Sequence, residues 1–341
     1  MKLKVPVDDA VGMVLPHDVT EIVKGEKKGP AFKKGHLIRQ EDVAHLKRLG
    51  KEHVFVLELG DDEIHEDEAA GILSSGLAGC GVECGLFPVE GKISLIAQTS
   101  GILKIAVDRL YEFNLLGEVM CATLPDNTPV SKGETVAATR LVPLVAKREL
   151  VERAAALCES GEKIVRVLVP RKVRAAVVIT GNEVYSGKIK DGFREVIREK
   201  LERWGSTLDI VRYAPDDVAK IAAAINECIE NGAQLIITTG GMSVDPDDVT
   251  RLGIAGAGAE DIVYGSPVLP GAMFLTARIK DVPILGLPAC GMYHKITVFD
   301  LVLPRVLTGE RVGREQLAAM GHGGLCRNCK QCRYPICHFG P

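Results

Sequence analysis

Hydrophobic and polar positions change period along the 341 residues. In the C-terminal half, Ala175 to Thr180 is a continuous apolar run that reads as a strand. Phe193, Val196, Ile197, Leu201 and Trp204 follow at helical spacing and stop at Gly205. The pattern then repeats. Leu208 to Tyr213 reads as a strand, Val218, Ile221, Ala222, Ile225 and Ile229 share one helical face with Asp216 placed to cap it, and Leu235 to Thr239 is a third strand after Gly232. Pro283 to Leu287 gives one more buried strand, before a helix predicted over 292–307 that Pro304 kinks near its end. Strand and helix alternate, which predicts a parallel sheet.

The N-terminal half has shorter periods. Residues 1–60 predict a small α/β segment: a Lys-rich loop over 24–34, a helix over 41–49 closed by Gly50, and a strand over 53–57. His65-Glu66-Asp67-Glu68 opens a further helix, its acids suiting the helix dipole and His65 reading as part of a solvated start. Between 86 and 145, short apolar runs split by Gly, Pro and Asp-Asn predict β-rich or α+β structure, followed by a linking helix over 147–158. The organisation expected is an N-terminal α/β segment (1–60), an α+β module with its linking helix (61–173), a parallel-sheet α/β domain (174–308) and a Cys-rich tail (309–341) that contributes little to any core.

Composition narrows the function classes. Apolar residues are 46% and charged residues 26%, which excludes a disordered, collagenous or coiled-coil chain. Net charge is 42 − 45 = −3 without a basic block, so neither nucleic acid nor a membrane surface is an expected partner. The longest uncharged apolar stretch, about ten residues near 283–293, falls short of the roughly 18 that span a bilayer, and the first residues hold no apolar signal core. Of ten cysteines, six are scattered and four crowd the last 16 residues. That asymmetry predicts a reducing, cytoplasmic setting and a metal site.

Ligands of open parallel sheets bind beyond the carboxyl ends of the strands. Three loops leave there. The first holds Thr180-Gly181-Asn182-Glu183 and continues through Gly187 to Asp191; the second holds Thr239-Gly240-Gly241-Met242-Ser243 and runs to Asp245, Asp247 and Asp248; the third is Gly286-Leu287-Pro288. Glycines after a strand let backbone N–H groups approach an oxyanion, and Thr239 and Ser243 add hydroxyls, which predicts a phosphate cradle. Neighbouring carboxylates suit a magnesium ion shared with that phosphate. Asp191, Asp216 and Asp248 also precede predicted helices, so capping and ligand binding are both open for them.

In order and spacing, Thr-Gly-Asn-Glu (180–183) with Gly187 and Asp191, Thr-Thr-Gly-Gly-Met-Ser-Val-Asp-Pro-Asp-Asp-Val-Thr (238–250) and Gly-Leu-Pro (286–288) resemble the molybdopterin-binding domain of molybdenum cofactor biosynthesis proteins, over 174–308. The loop reading gives Thr180, Gly181 and Thr239 to the cofactor-binding set, and the resemblance implies that Glu183, Asp191, Asp217 and Asp248 lie at the ligand and metal edge and that Gly240, Gly241 and Ser243 form the pterin pocket. It implies magnesium at Asp245 and Asp248, and catalytic roles for Asp248, Asp217 and Pro288. Its larger members, the molybdopterin molybdenumtransferases, carry this domain behind N-terminal modules and imply a homodimer, with molybdopterin or its adenylylated form and molybdate as ligands and molybdoenzymes or other cofactor-biosynthesis proteins as partners. Three departures stand out. Pro270-Gly271-Ala272-Met273 replaces their Pro-Gly-Lys-Pro and loses a cation; Gly286-Leu287-Pro288-Ala289-Cys290-Gly291 replaces Gly-Leu-Pro-Gly-Asn-Pro; and their Ser-Ala-Met-Asp-Gly-Tyr-Ala element has no counterpart. Pterin binding is thus better supported than metal insertion. The stretch 245–250 also resembles nucleotide-processing competence-damage proteins.

The tail is a second candidate. Cys326, Cys329 and Cys332 at spacing two resemble the ferredoxin run, with a final gap of four to Cys337, which favours a 4Fe-4S cluster over zinc or redox-active thiols. Cys80 and Cys84, flanked by glycines, read as small buried hydrophobes, with a ligand role as the alternative. The function expected is a molybdotransferase relative, with a cofactor carrier or sensor and a nucleotide pyrophosphatase as alternatives.

Overall fold

A computed structural model describes residues 2–23, 27–57, 59–159, 161–242 and 249–340. The chain forms two compact units, Met1–Leu124 with Val130–Val167, and Pro125–Pro129 with Leu168–Pro341.

In the second unit, Arg174–Thr180 (β1), Thr207–Ala214 (β2), Leu235–Thr239 (β3), Glu260–Tyr264 (β4), Leu275–Ile279 (β5) and Val282–Leu287 (β6) form one sheet in the order β2-β1-β3-β6-β5-β4. Four strands are parallel: β1 pairs with β2 and β3, and β3 with β6. The sheet is nevertheless mixed, not wholly parallel, because β5 runs antiparallel to both β6 and β4. Its cause is local. Only Lys280 and Asp281 join β5 to β6, with Lys280 at φ 52°, and a two-residue turn leaves no room for a crossover. Glu260, Asp261 and Arg278 break the apolar runs of β4 and β5, which hid both strands from the periodicity.

The continuous apolar strands are explained by burial on both faces. Ala175, Val177 and Ile179 pack with Ile197 and Leu201 of Phe193–Glu202 (α1) and with Val298–Leu307 (α4). The alternate residues Ala176 and Val178 pack with Ile221 and Ile225 of Val218–Glu230 (α2) and Ile254 of Thr250–Gly256 (α3). Helix α4 starts later than the predicted 292, since Ala289–Met292 is a separate 3-10 turn and Thr297 with Asp300 forms a capping box. Asp300 also pairs with buried Lys200 of α1, whose Nζ donates to the Lys295 carbonyl at 3.0 Å. The tail corrects the sequence reading more sharply. Val312, Leu317, Met320 and Phe339 belong to the same core as α4, so the segment after Gly309 does contribute to a core.

The first unit carries a four-stranded antiparallel sheet, Val82–Cys84, Lys92–Ala97, Thr135–Leu141 and Val119–Thr123, sharing a core with helices Glu66–Leu77 and Arg148–Glu159. Lys2–Pro6 pairs with His53–Leu57, and Lys27–Phe32 is a strand paired antiparallel with Val19–Val23, in place of the expected loop. Residues 24–26 of that loop lie outside the described residues. His65 is buried, not solvated: Nδ1 caps the helix by accepting from the Asp67 N–H at 3.3 Å, which leaves Nε2–H to donate to the Gly35 carbonyl at 2.7 Å. Glu66 is 4% exposed and pairs with Arg140 at 3.0 Å. Its carboxyl is pushed above the usual carboxylate range by burial, against the pull of Arg140. Gly35 and Gly91, both at positive φ, stand where a Cβ would come within 2.4 and 2.1 Å of its oxygens.

Candidate functional site

The carboxyl ends of β1, β3 and β6 deliver the three loops to one sheet edge, since neighbouring strands are in register there: Ile179 opposes Thr239, and Thr239 opposes Leu287. Thr180 ties two of the loops together. Its buried hydroxyl donates to the Thr239 carbonyl at 3.0 Å and, its one proton so used, accepts from the Thr250 hydroxyl at 2.8 Å. Gly240 (φ 83°) and Gly241 (φ 49°) are forced by this closeness, because a Cβ would lie 2.3 Å from the Thr180 carbonyl oxygen in one case and 2.5 Å from Thr250 Oγ1 in the other. Met242 is driven into the core and its carbonyl accepts from the Tyr264 hydroxyl at 2.6 Å, anchoring the turn at its far side. Thr239 Oγ1 is buried and has no hydrogen-bond partner among the described residues. Such an orphan costs about 1–3 kcal/mol and calls for an acceptor or donor.

The first loop is braced against β2. Gly181 N–H donates to the Ala214 carbonyl at 3.2 Å, and Asn182 and Asp216 exchange bonds, Asn182 N–H to Asp216 Oδ2 at 2.9 Å and Asp216 N–H to Asn182 Oδ1 at 3.2 Å. Asp216 is therefore a brace, and the cap of α2 is Asp217, whose Oδ1 accepts from the Lys220 N–H at 2.9 Å. Asp191 is engaged likewise: Oδ1 accepts from Phe193 N–H at 2.7 Å at the start of α1, and Oδ2 accepts from the Tyr213 hydroxyl at 3.2 Å. Burial and the Asp191 carboxylate hold that phenol above its ordinary pKa. Glu183 is exposed on the same loop, beyond which Lys188 and Lys190 are exposed. Pro288 is buried directly after β6. Ser243, Asp245 and Asp248 lie outside the described residues, as does Asp247.

Thr180, Gly181, Thr239, Gly240, Gly241 and Pro288 thus gather at one edge, while Asp191 and Asp217 are committed to helix starts. Thr250, Tyr264, Asn182 and Tyr213 went unnoticed in the sequence. Asn182, inside the Thr-Gly-Asn-Glu run, and Thr250, at the end of the 238–250 run, carried a local signal; Tyr213 and Tyr264 matter through contacts 22 residues away in sequence.

Residues 176–308 match the family model "Probable molybdopterin binding domain". Residues 4–58 match a domain of unknown function. Over 143 residues the chain is 24% identical to a molybdopterin molybdenumtransferase of Synechococcus elongatus, covering 40% of this chain and 36% of that relative. Over 77 residues it is 36% identical to a CinA-like protein of Mycobacterium tuberculosis, covering 23% and 18%. The molybdopterin biosynthesis enzyme MoaB of Thermus thermophilus is a structural neighbour at 20% identity and TM-score 0.34, covering 40% of this chain and 98% of that one. The chain spans less than two fifths of the length of these two sequence relatives.

Among the described residues no three His, Cys, Asp or Glu side chains are placed to hold an ion. Cys121, Cys158 and Cys228 are buried, and burial pushes their thiols up to about 12, 11 and 11. They are inert at neutral pH. Cys80 and Cys84 are not buried as expected: Cys80 is exposed and Cys84 partly so. Among the described residues no helix is long and apolar enough to cross a membrane.

Proposed function

We propose that the second unit binds molybdopterin, bare or adenylylated, at the carboxyl edge of β1, β3 and β6 and works in molybdenum cofactor biosynthesis as a molybdotransferase relative. The observation that carries the reading is the Gly240-Gly241 turn, locked against Thr180 and Thr250, beside the orphaned Thr239 hydroxyl. A phosphate oxygen reaching that turn gives the hydroxyl its partner and meets bare backbone. Lys188 and Lys190, exposed on the first loop, offer the positive charge that Ala272 does not. Buried Pro288 shapes the floor, and exposed Glu183 faces no competing cap. The bound pterin supplies the dithiolene sulfurs that receive molybdenum; the chain's part is to hold the phosphate end and keep the loops in register.

The test is calorimetric titration of the full chain with molybdopterin and with its adenylylated form, with molybdate then added and bound molybdenum counted. Saturable binding followed by molybdenum uptake supports the transferase reading. Binding without uptake selects a carrier or sensor. The match to a CinA-like protein favours a second reading, hydrolysis of a nucleotide pyrophosphate, and release of a mononucleotide without pterin binding would select it.

A further inference from the structure

We propose that the tail cysteines Cys326, Cys329, Cys332 and Cys337 close around a four-thiolate metal centre in a cleft of their own. All four line one cleft of about 770 Å³. Cys329, Cys332 and Cys337 are exposed and Cys326 is partly so, in contrast to the three buried thiols described above. The cleft also has an unusual charge. Lys295, Arg327, Lys330 and Arg333 line it, and no Asp or Glu does among the described residues. A divalent ion with four thiolates, or a 4Fe-4S cubane in its 2+ state with four thiolates, carries a net charge of −2, by adding charges 2+ and 4−. Four cations around an otherwise carboxylate-free cleft are the complement of that dianion. A cleft built only for a redox disulfide has no such need.

The segment is anchored at both ends, and within it Tyr334 packs against the α4 core while Cys329, Cys332 and Cys337 stay exposed. Leu325 bridges Leu269 and the Cys326 N–H donates to the Leu269 carbonyl at 2.8 Å, while at the other end Phe339 is buried and the Gly340 N–H donates to the Gly323 carbonyl at 3.1 Å. Between these anchors residues 327–338 hold no helix or strand. The thiols are not converged in this structure, so ligation draws in an irregular loop whose ends stay fixed, each thiol releasing its proton to solvent as it binds. The spacing of two, two and four residues suits a cubane better than a single ion, because the cluster's corners separate the sulfurs it joins. Residues 293–296 also line the cleft. The proposal stands on the tail alone and does not depend on pterin binding.

The experiment uses the full chain purified without oxygen, then reconstituted in parallel with equal amounts of ferrous and ferric iron plus sulfide, which together make up the 2+ core, and with zinc. Metal is counted by mass spectrometry and thiols by alkylation of the native protein. The proposal expects about four irons and four sulfides per chain with a brown absorption band, or one zinc per chain, with the four tail thiols protected from alkylation in the loaded form and reactive after chelation. The two arms distinguish cluster from ion. Cys329→Ser with Cys332→Ser should reduce metal content at least several-fold while circular dichroism stays unchanged, and Arg327→Glu with Arg333→Glu should weaken retention against chelator. Metal content at the level of buffer, or equal content in the Cys329→Ser, Cys332→Ser variant, overturns the proposal. So does phosphate binding in the cleft that survives loss of the thiols and vanishes on charge reversal, which would make it an anion site.

Discussion

Thr180 shows how much one hydroxyl can organise. It ends a strand that is apolar from Ala175 to Ile179, and its side chain joins the Thr239 carbonyl to Thr250 across two loops. Thr180→Val keeps the shape and removes both bonds, stranding a carbonyl and a hydroxyl in a buried place. A loss of about 1–2 kcal/mol in stability is expected, with a fall in pterin affinity larger than in any variant of equal stability elsewhere in the sheet. Chemical denaturation and calorimetry on the same sample check the pair; unchanged affinity at reduced stability would detach Thr180 from the site. The neighbouring glycines answer to the same packing. A side chain at Gly241 meets Thr250 Oγ1 and a left-handed backbone, so Gly241→Val disturbs the loops before any ligand arrives and is a poor probe of binding.

At the scale of the element, carboxylates that a motif marks as ligands turn out to have helices to start. Asp217→Asn should leave stability nearly unchanged, since Asn caps as well as Asp, and Asp217→Ala should cost about 1 kcal/mol. If turnover follows stability through that pair, the acid serves α2 alone; if Asp217→Asn is stable and inactive, its charge serves the chemistry. In the first unit, Glu66 opens its helix from a buried position. Its folded pKa lies above the unfolded one, so the carboxylate costs nothing below the unfolded value and its ionisation opposes folding progressively as pH rises through the folded value. Glu66→Gln should therefore gain stability relative to the parent as pH rises from about 4 to about 7, read from urea midpoints of the pair. A gap that narrows with pH would mean that the Arg140 pairing outweighs burial. Legibility follows the same line. The strands at Ala175–Thr180 and Leu235–Thr239 and the helix over 218–230 were readable because both sheet faces are covered and the apolar runs are unbroken. Strands β4 and β5 were not, since charges interrupt them, nor was the burial of His65 and Glu66, which depends on Gly35 and Gly91 arriving from distant turns. The polar loops of the site could be placed from sequence order alone, whereas the bonds that lock them could not.

At the scale of the whole molecule, the tail is both covering and candidate metal site, and these roles separate by residue. Phe339 is 4% exposed and packs in the core that α4 shares with the sheet, so Phe339→Ala in the full chain should cost about 3–5 kcal/mol. The single tryptophan, Trp204, packs against this same core and lies in the second unit. Its fluorescence reports the unfolding of that unit without contribution from the first. The Trp204-detected urea midpoint should fall in Phe339→Ala and fall further when the chain ends at Gly309, which also removes Val312, Leu317 and Met320 from the core. In Cys329→Ser and Cys332→Ser, measured without metal, it should stay where it is, because those side chains are exposed and cover nothing. A truncation at Gly309 with an unshifted midpoint would show that α4 is covered without the tail, leaving the four thiols as its sole business.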